Sequence, residues 1–263
     1  MSFRLTRRYA LSGLGVALTG SVAGCLSGDE GSDYTNRERT NTSSAETPAE
    51  PSDDNSTADP QEPSDDNSTV EPQDVSFMSP SGPTVEGTLY GRGSCGVVLV
   101  PQINRDRGSW YPQAERLAEQ GHVALPIDEG DDRVEAVLGA VEYLRAERNV
   151  SHVVVMGAST GGEAVVTAAA TEPDRIDGVV ALSASGGVDR ADQLTGQKLF
   201  VVSRDDEQRF VDIATGLTDS ASEPSQLETY NGGAHGQGLF ESSHRKALWD
   251  TVLTLTTAVC QDE

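Results

Sequence analysis

The stretch from Val153 to Gly162 constrains the fold of this 263-residue chain more than any other. Four apolar residues run directly into the sequence Gly-Ala-Ser-Thr-Gly-Gly. Small and apolar residues then recur at helical spacing, at Ala164, Val165, Ala168 and Ala169. An apolar run, a glycine-rich turn and a helical pattern predict a buried strand, a sharp turn and a helix. Such a turn would hold the hydroxyl of Ser159 above the edge of a sheet.

Apolar runs alternate with helical patterns on both sides of this turn. Besides the run before Gly157, we predict strands at 85–90, 96–100, 123–127, 176–182, 199–202 and 226–230. Helices are predicted at 109–119, 131–147, 207–217 and 242–259, in addition to the one that follows Ser159. This alternation is typical of an α/β fold with a mostly parallel sheet and helices on both faces. Ligands of such sheets bind at the carboxyl ends of the strands.

Gly157 and Gly161 flank Ser159 in a G-x-S-x-G pattern, and here the chain resembles the α/β-hydrolase family. In that family the pattern forms the nucleophile elbow, a strained turn that presents a serine for catalysis. The alternative interpretation is a glycine-rich strand-to-helix turn whose serine has no chemical role. The resemblance covers about residue 75 to the end of the chain and implies an α/β-hydrolase fold.

A serine hydroxyl needs a neighbouring base, and the base needs an acid that orients it. The resemblance implies the chain order serine, acid, histidine. It places the acid at Asp206, with Asp205 as the alternative, and the base at His235 in the loop after the last predicted strand. Taken alone, Asp206 could equally be a solvated acid and His235 an incidental loop residue.

Hydrolysis through an acyl-enzyme also needs two backbone N–H groups to bind the oxyanion. The resemblance assigns one donor to Thr160 and the other to the loop after strand 96–100. Family members often carry His-Gly in that loop, whereas this chain has Pro-Gln-Ile. By position we expect the second donor at Ile103, with Gln102 as the alternative, and the departure leaves room for a weak or altered activity.

The connection between the strands at 176–182 and 199–202 is too short to hold a lid domain. The chain is therefore similar to small esterases of the dienelactone-hydrolase type, which implies a serine hydrolase acting on small carboxylic esters without a cofactor. The N-terminal segment, residues 1–25, predicts that this hydrolase lies at the cell surface. Trp110, Tyr111 and Phe240 either line the site or fill the core, and we favour the core for Trp110. Alternatives are a peptidase or thioesterase with the same three residues, or a lipid-tethered binding protein on a hydrolase scaffold.

Residues 1–25 have the pattern of an export signal rather than of a folded element. Arg7 and Arg8 lie in a segment that resembles a twin-arginine signal, and Val-Ala-Gly-Cys25 resembles a lipobox. A lipid on Cys25 would anchor the mature protein to the outer face of the cell membrane. Residues 26–74 are rich in Ser, Thr, Asp, Glu and Pro, which predicts a disordered acidic linker. The resemblance implies that residues 75–263 form an α/β-hydrolase domain.

The net charge of −23 excludes nucleic acid and anionic lipid surfaces as partners, because both carry the same sign. Abundant acids with only two lysines are typical of proteins from saline surroundings.

No metal site is predicted, since the acids at 128–132 fit a surface loop better than a cation site. Cys95 and Cys260 are candidates for a disulfide, the alternative being two separate thiols.

Overall fold

The computed structural model describes residues 71–130 and 132–261. Six strands form one parallel sheet in the order β4-β3-β5-β6-β7-β8. These strands are β3 (Cys95–Val100), β4 (Val123–Pro126), β5 (His152–Ala158), β6 (Gly178–Leu182), β7 (Gln197–Ser203) and β8 (Ser225–Tyr230). The helices are α1 (Tyr111–Glu119), α2 (Arg133–Arg148), α3 (Thr160–Thr171), α4 (Gln208–Ser220) and α5 (Arg245–Gln261). The predicted α/β fold with a mostly parallel sheet is thus confirmed.

Both faces of the sheet are covered, which explains why its strands are apolar without interruption. Successive side chains of a strand point to opposite faces. On β3, Val98 and Val100 pack with α2 and α3, whereas Val97 and Leu99 pack with α1 and α5. Strand β5 follows the same alternation.

The sequence did not reveal strand β1 (Gln73–Met78), which pairs antiparallel with β2 (Thr84–Leu89). We predicted β2 but not its separation from the main sheet. The hairpin lies along the β4 edge, where single bridges join Gly87 to Ile127 and Tyr90 to Ala124. Strand β1 begins at Gln73, so the folded region extends two residues before the predicted domain boundary at 75. Its alternation of exposed and half-buried residues left no apolar run to recognise.

The connection between β6 and β7, residues 183–196, contains one short 3-10 helix, Val188–Gln193, and no cap domain. Two more 3-10 helices, Arg107–Trp110 and Gly236–Glu241, follow β3 and β8. The predicted signal segment, Cys25 and nearly all of the predicted linker lie outside the described residues. Within the described ranges, no helix combines the length and the apolar character that crossing a bilayer requires.

Candidate active site

Ser159 occupies the turn between β5 and α3 in a conformation that side chains rarely adopt, with φ 50° and ψ −113°. A non-glycine residue stays in this region only where the surrounding structure holds it there. The Ser159 N–H donates to the carbonyl of Leu182 at the end of β6 (2.9 Å). A Cβ at Gly157 would lie 2.2 Å from the carbonyl oxygen of Gly161, so the turn closes only with glycine there. The sequence-predicted turn is therefore present, with Ser159 at its tip.

Asp206 and His235 follow β7 and β8, the next two strand ends beyond Ser159 and β6. Nδ1 of His235 lies 2.9 Å from Oδ2 and 3.2 Å from Oδ1 of Asp206. The aspartate side chain is 5% exposed, and its Oδ1 also accepts the N–H of Glu207 (2.8 Å). A carboxylate facing Nδ1 favours the tautomer with the proton on that nitrogen, which leaves Nε2 as the proton acceptor.

Asp205, the alternative acid, does not reach His235. Its side chain is exposed, and its N–H donates to the carbonyl of Gly232 (3.0 Å). The backbone turns at residues 204–206, where the Asp206 N–H donates to the carbonyl of Ser203 (3.3 Å), and this turn leaves Asp205 at the surface and Asp206 facing the imidazole. The structure brings Asp206 to the histidine.

The loop that carries His235 lies against the same strand ends as the serine turn. The Gly236 N–H donates to Oγ of Ser183 (3.2 Å), the residue directly after β6. Oγ of Ser203, at the end of β7, donates to the carbonyl of Ala234 (2.7 Å). Gly236 also packs beside Ala158, where a Cβ on the glycine would lie 3.4 Å from the alanine Cβ. Two buried serines thus hold the backbone on either side of His235, next to the residue that precedes Ser159.

The imidazole of His235 packs against the ring of Phe210 on α4, with the ring centroids 4.3 Å apart. The guanidinium of Arg209 covers the Phe210 ring at 4.4 Å. The His235 side chain keeps 28% of its surface exposed. The ring is therefore fixed by the carboxylate and by Phe210 but stays reachable from solvent. Nothing in the sequence singled out Phe210, because an aromatic residue on a helix is usually core.

The loop after β3 contains the predicted oxyanion donors. The Gln102 N–H donates to Oε1 of Gln237 (3.3 Å), so it is engaged. Within the described residues, the N–H groups of Ile103 and Thr160 have no protein acceptor. The Thr160 N–H belongs to the first turn of α3, where the helix dipole favours negative charge. Of the two predicted loop donors, the Ile103 amide is the one left free.

The other three histidines of the chain, His122, His152 and His244, have structural surroundings. His152 lies 3.9 Å from Asp177, and His244 stacks on Tyr230 with the ring centroids 5.2 Å apart. His122 is buried beside the Cys260 sulfur, with Nδ1 to Sγ at 3.9 Å, and burial lowers its pKa.

Cys95 and Cys260 are joined by a disulfide with a Cα–Cα distance of 5.7 Å. With His122 they are the one group in the described part of the chain whose ligand atoms lie close enough for a metal ion. Both sulfurs are engaged in the bond, so the group does not fit a metal in this state.

The acids at 128–132 take part in local contacts within the described residues. Asp128 pairs with Arg107 (2.5 Å), Glu129 pairs with Arg133, and Asp132 caps α2 through the N–H of Glu135 (3.2 Å).

Trp110 and Phe240 are buried and pack edge to face, with the ring centroids 6.0 Å apart. The predicted core position of Trp110 is confirmed. Tyr111 is half-buried, and its hydroxyl lies 3.1 Å from Oγ1 of Thr88. The helix predicted from residue 109 starts two residues later, at Tyr111, and the Ser109 hydroxyl donates to the carbonyl of Asp106.

The described chain is similar in structure to several solved hydrolases. A dienelactone hydrolase from Anabaena variabilis superposes with a TM-score of 0.64 at 18% identity, covering 73% of this chain and 100% of that one. An esterase from Pyrococcus furiosus gives 0.63 at 13% identity, covering 72% and 93%. An alpha/beta hydrolase from Penicillium sp. sh18 gives 0.65 at 13% identity, covering 73% and 99%. No family model and no curated protein sequence matches the chain. The chain has the α/β-hydrolase fold.

Proposed function

We propose that this protein is a serine hydrolase that transfers the acyl group of small carboxylic esters to water. The observation that carries the proposal is the contact between His235 Nδ1 and Asp206 Oδ2 (2.9 Å), in a loop that packs beside the Ser159 turn. An orienting carboxylate, a base and a strained serine at neighbouring strand ends are the groups that acyl transfer requires. The structural neighbours include esterases and hydrolases, which supports the same class.

In this mechanism Nε2 of His235 takes the proton of Ser159 Oγ as the oxygen attacks the ester carbonyl. Asp206 holds the imidazole by its Nδ1 and stabilises the imidazolium that forms. The imidazolium then donates its proton to the leaving alcohol, and an acyl-enzyme remains on Ser159. A water molecule, deprotonated by the same histidine, hydrolyses that ester and regenerates the serine.

The charge that develops on the carbonyl oxygen needs donors that are already in place. We assign these to the backbone N–H groups of Thr160 and Ile103, the second because the Gln102 amide is engaged with Gln237. Each donor of this kind lowers the barrier by about 3 kcal/mol.

The surroundings of the site favour small, soluble substrates over long acyl chains. The connection between β6 and β7, residues 183–196, adds no cap domain at these strand ends. A shallow depression of ≈ 570 Å³, lined by Asn104, Arg105, Asp106 and Ser109, adjoins the loop that carries Ile103. Ser159 and His235 do not line this depression, and we propose only that a hydrophilic part of the ester contacts it.

A panel of small chromogenic esters, assayed at high salt, tests this function. We expect turnover by the wild type and loss of turnover in Ser159→Ala and His235→Ala. Ser151→Ala is a matched control, because Ser151 is an exposed serine at the opposite end of β5. A folded wild type without turnover of any ester would instead support the binding protein or a different acyl substrate.

We also propose, from the sequence alone, that a lipid on Cys25 tethers the protein to the outer face of the cell membrane. The support is the lipobox-like Val-Ala-Gly-Cys sequence behind a twin-arginine pattern. Cys25→Ser should release the protein from membranes into the medium. Retention of this variant on membranes contradicts the tether.

A further inference from the structure

Two loops bring the proposed oxyanion donor and the proposed base to the site. The first follows β3 and contains Gln102 and Ile103, and the second follows β8 and contains His235 and Gln237. Although 135 residues separate the two glutamines in the chain, their side chains bond directly to each other's backbone.

The bonding between the loops is reciprocal. The Gln102 N–H donates to Oε1 of Gln237 (3.3 Å), and the Gln237 N–H donates to Oε1 of Gln102 (3.1 Å). Nε2 of Gln237 donates further to Oγ of Ser109 (2.9 Å). Reversing the Gln237 amide would turn an N–H₂ group toward the Gln102 N–H, donor against donor, so the contacts define its orientation.

Because Gln237 is buried, removing its partner in either hydrogen bond leaves a buried polar group unpaired. Gln237 is 2% exposed. A buried amide that loses its hydrogen-bond partner, with no water in its place, destabilises the folded protein. The fit is also tight, since a Cβ at Gly236 would lie 2.6 Å from Gln102 Oε1. The loop with Ile103 is in addition pressed against the serine turn, where a Cβ at Gly161 would lie 2.4 Å from the carbonyl of Pro101.

From these contacts we propose that Gln102 and Gln237 are positioning residues that lock the oxyanion loop and the histidine loop into one unit. The pair engages the Gln102 amide and leaves the Ile103 amide for the oxyanion, and it fixes the backbone two residues beyond the imidazole. This inference rests on the proposed hydrolase function.

A double-mutant cycle tests the lock, with Gln→Met as the change because methionine is of similar length but cannot form these hydrogen bonds. Gln237→Met and Gln102→Met should each lower kcat about 10- to 100-fold, since a displacement of about 1 Å at a catalytic group has this effect. KM should change little, because neither side chain is assigned a contact with the ester. Each change removes one of the two reciprocal bonds, and we expect the loss of either bond to release both loops. The double variant should therefore be no slower than the slower single variant.

Gln226→Met is the matched control, since Gln226 is an exposed glutamine on β8 whose side chain, among the described residues, bonds to Glu228 alone. It should retain the wild-type kcat. Thermal unfolding of every variant separates a loss of folding from a loss of positioning, because a merely structural pair would lower the midpoint and leave the kcat of folded protein unchanged. Should Gln237→Met not fold, Ser109→Ala, which removes the acceptor of Gln237 Nε2, should lower kcat in the same way but less.

Multiplicative effects of the two substitutions, or an unchanged kcat in both, overturn the lock while leaving the hydrolase in place. A wild type that neither turns over esters nor reacts with a fluorophosphonate at Ser159 overturns the proposed function, and the lock with it.

Discussion

Asp206 Oδ2 lies 2.9 Å from His235 Nδ1, although 29 residues separate the two in the chain. Adjacent parallel strands bring them together, because β7 and β8 end at the same edge of the sheet. The aspartate is the buried partner and the histidine the partly exposed one, which suits an acid that orients and a base that meets substrate.

The first prediction uses the two adjacent aspartates as a matched pair. Asp206→Asn keeps the shape but removes the charge and favours the wrong imidazole tautomer, so kcat should fall by up to about 10⁴-fold. Asp205→Asn should leave kcat near the wild-type value, because that side chain is exposed and does not reach His235. Steady-state kinetics on one ester measure both variants. Equal effects of the two substitutions would contradict the assignment of the acid.

The second prediction concerns the disulfide between Cys95 and Cys260. The bond joins the start of β3 to the last turns of α5 and closes a span of 165 residues. Cys95→Ser/Cys260→Ser should lower the free energy of unfolding by about 2–5 kcal/mol, measured by denaturant unfolding.

The same variant should keep the wild-type kcat. Cys95 lies at the amino-terminal ends of the parallel strands, whereas Asp206 and His235 lie beyond their carboxyl-terminal ends. A dithiol reductant provides the control, since it should destabilise the wild type and leave the double variant unchanged. A reductant effect of equal size on both proteins is the contrary result.

The third prediction is a pH dependence of stability that arises at His122. Burial lowers the pKa of this imidazole from 6.5 in the folded protein. Below about pH 6.5 the unfolded chain therefore binds more protons at this residue than the folded one, and stability falls as the pH falls. His122→Gln removes this contribution and leaves the other titrating groups in place.

Denaturant unfolding at about pH 7.5 and about pH 5 measures the difference in unfolding free energy between the wild type and His122→Gln. We expect any advantage of the wild type to shrink at the lower pH. A difference that stays constant, or grows toward acid, contradicts a depressed pKa.

Much of the fold could be predicted because the parallel strands are apolar on both faces. Runs such as the one before Ser159 therefore stand out, and the alternation of strands with helices fixed the fold class. Strand β1 was not predicted, because its residues are exposed or half-buried and its sequence therefore contains no continuous apolar run.

The proposed catalytic residues of the site could be predicted, because the chemistry restricts which residue types can act there. The residues that hold them in position could not. Ser159, Asp206 and His235 follow from a pattern and a chain order. Contacts of Ser183 and Gln237 with distant backbone depend on how the strand ends meet, and polar residues in loops are common without such roles. Geometry was needed to choose between the adjacent aspartates, because the turn after β7 decides which of the two carboxylates faces the imidazole.

Intact-mass spectrometry after exposure to a fluorophosphonate tests the central claim most directly, because only an activated serine displaces the fluoride. We expect one adduct on the wild type, mapped to Ser159 by peptide analysis, with no adduct on Ser159→Ala and strongly slowed labelling in His235→Ala. An unlabelled, folded wild type, or an adduct that persists in Ser159→Ala, would contradict the assignment of Ser159 as the nucleophile.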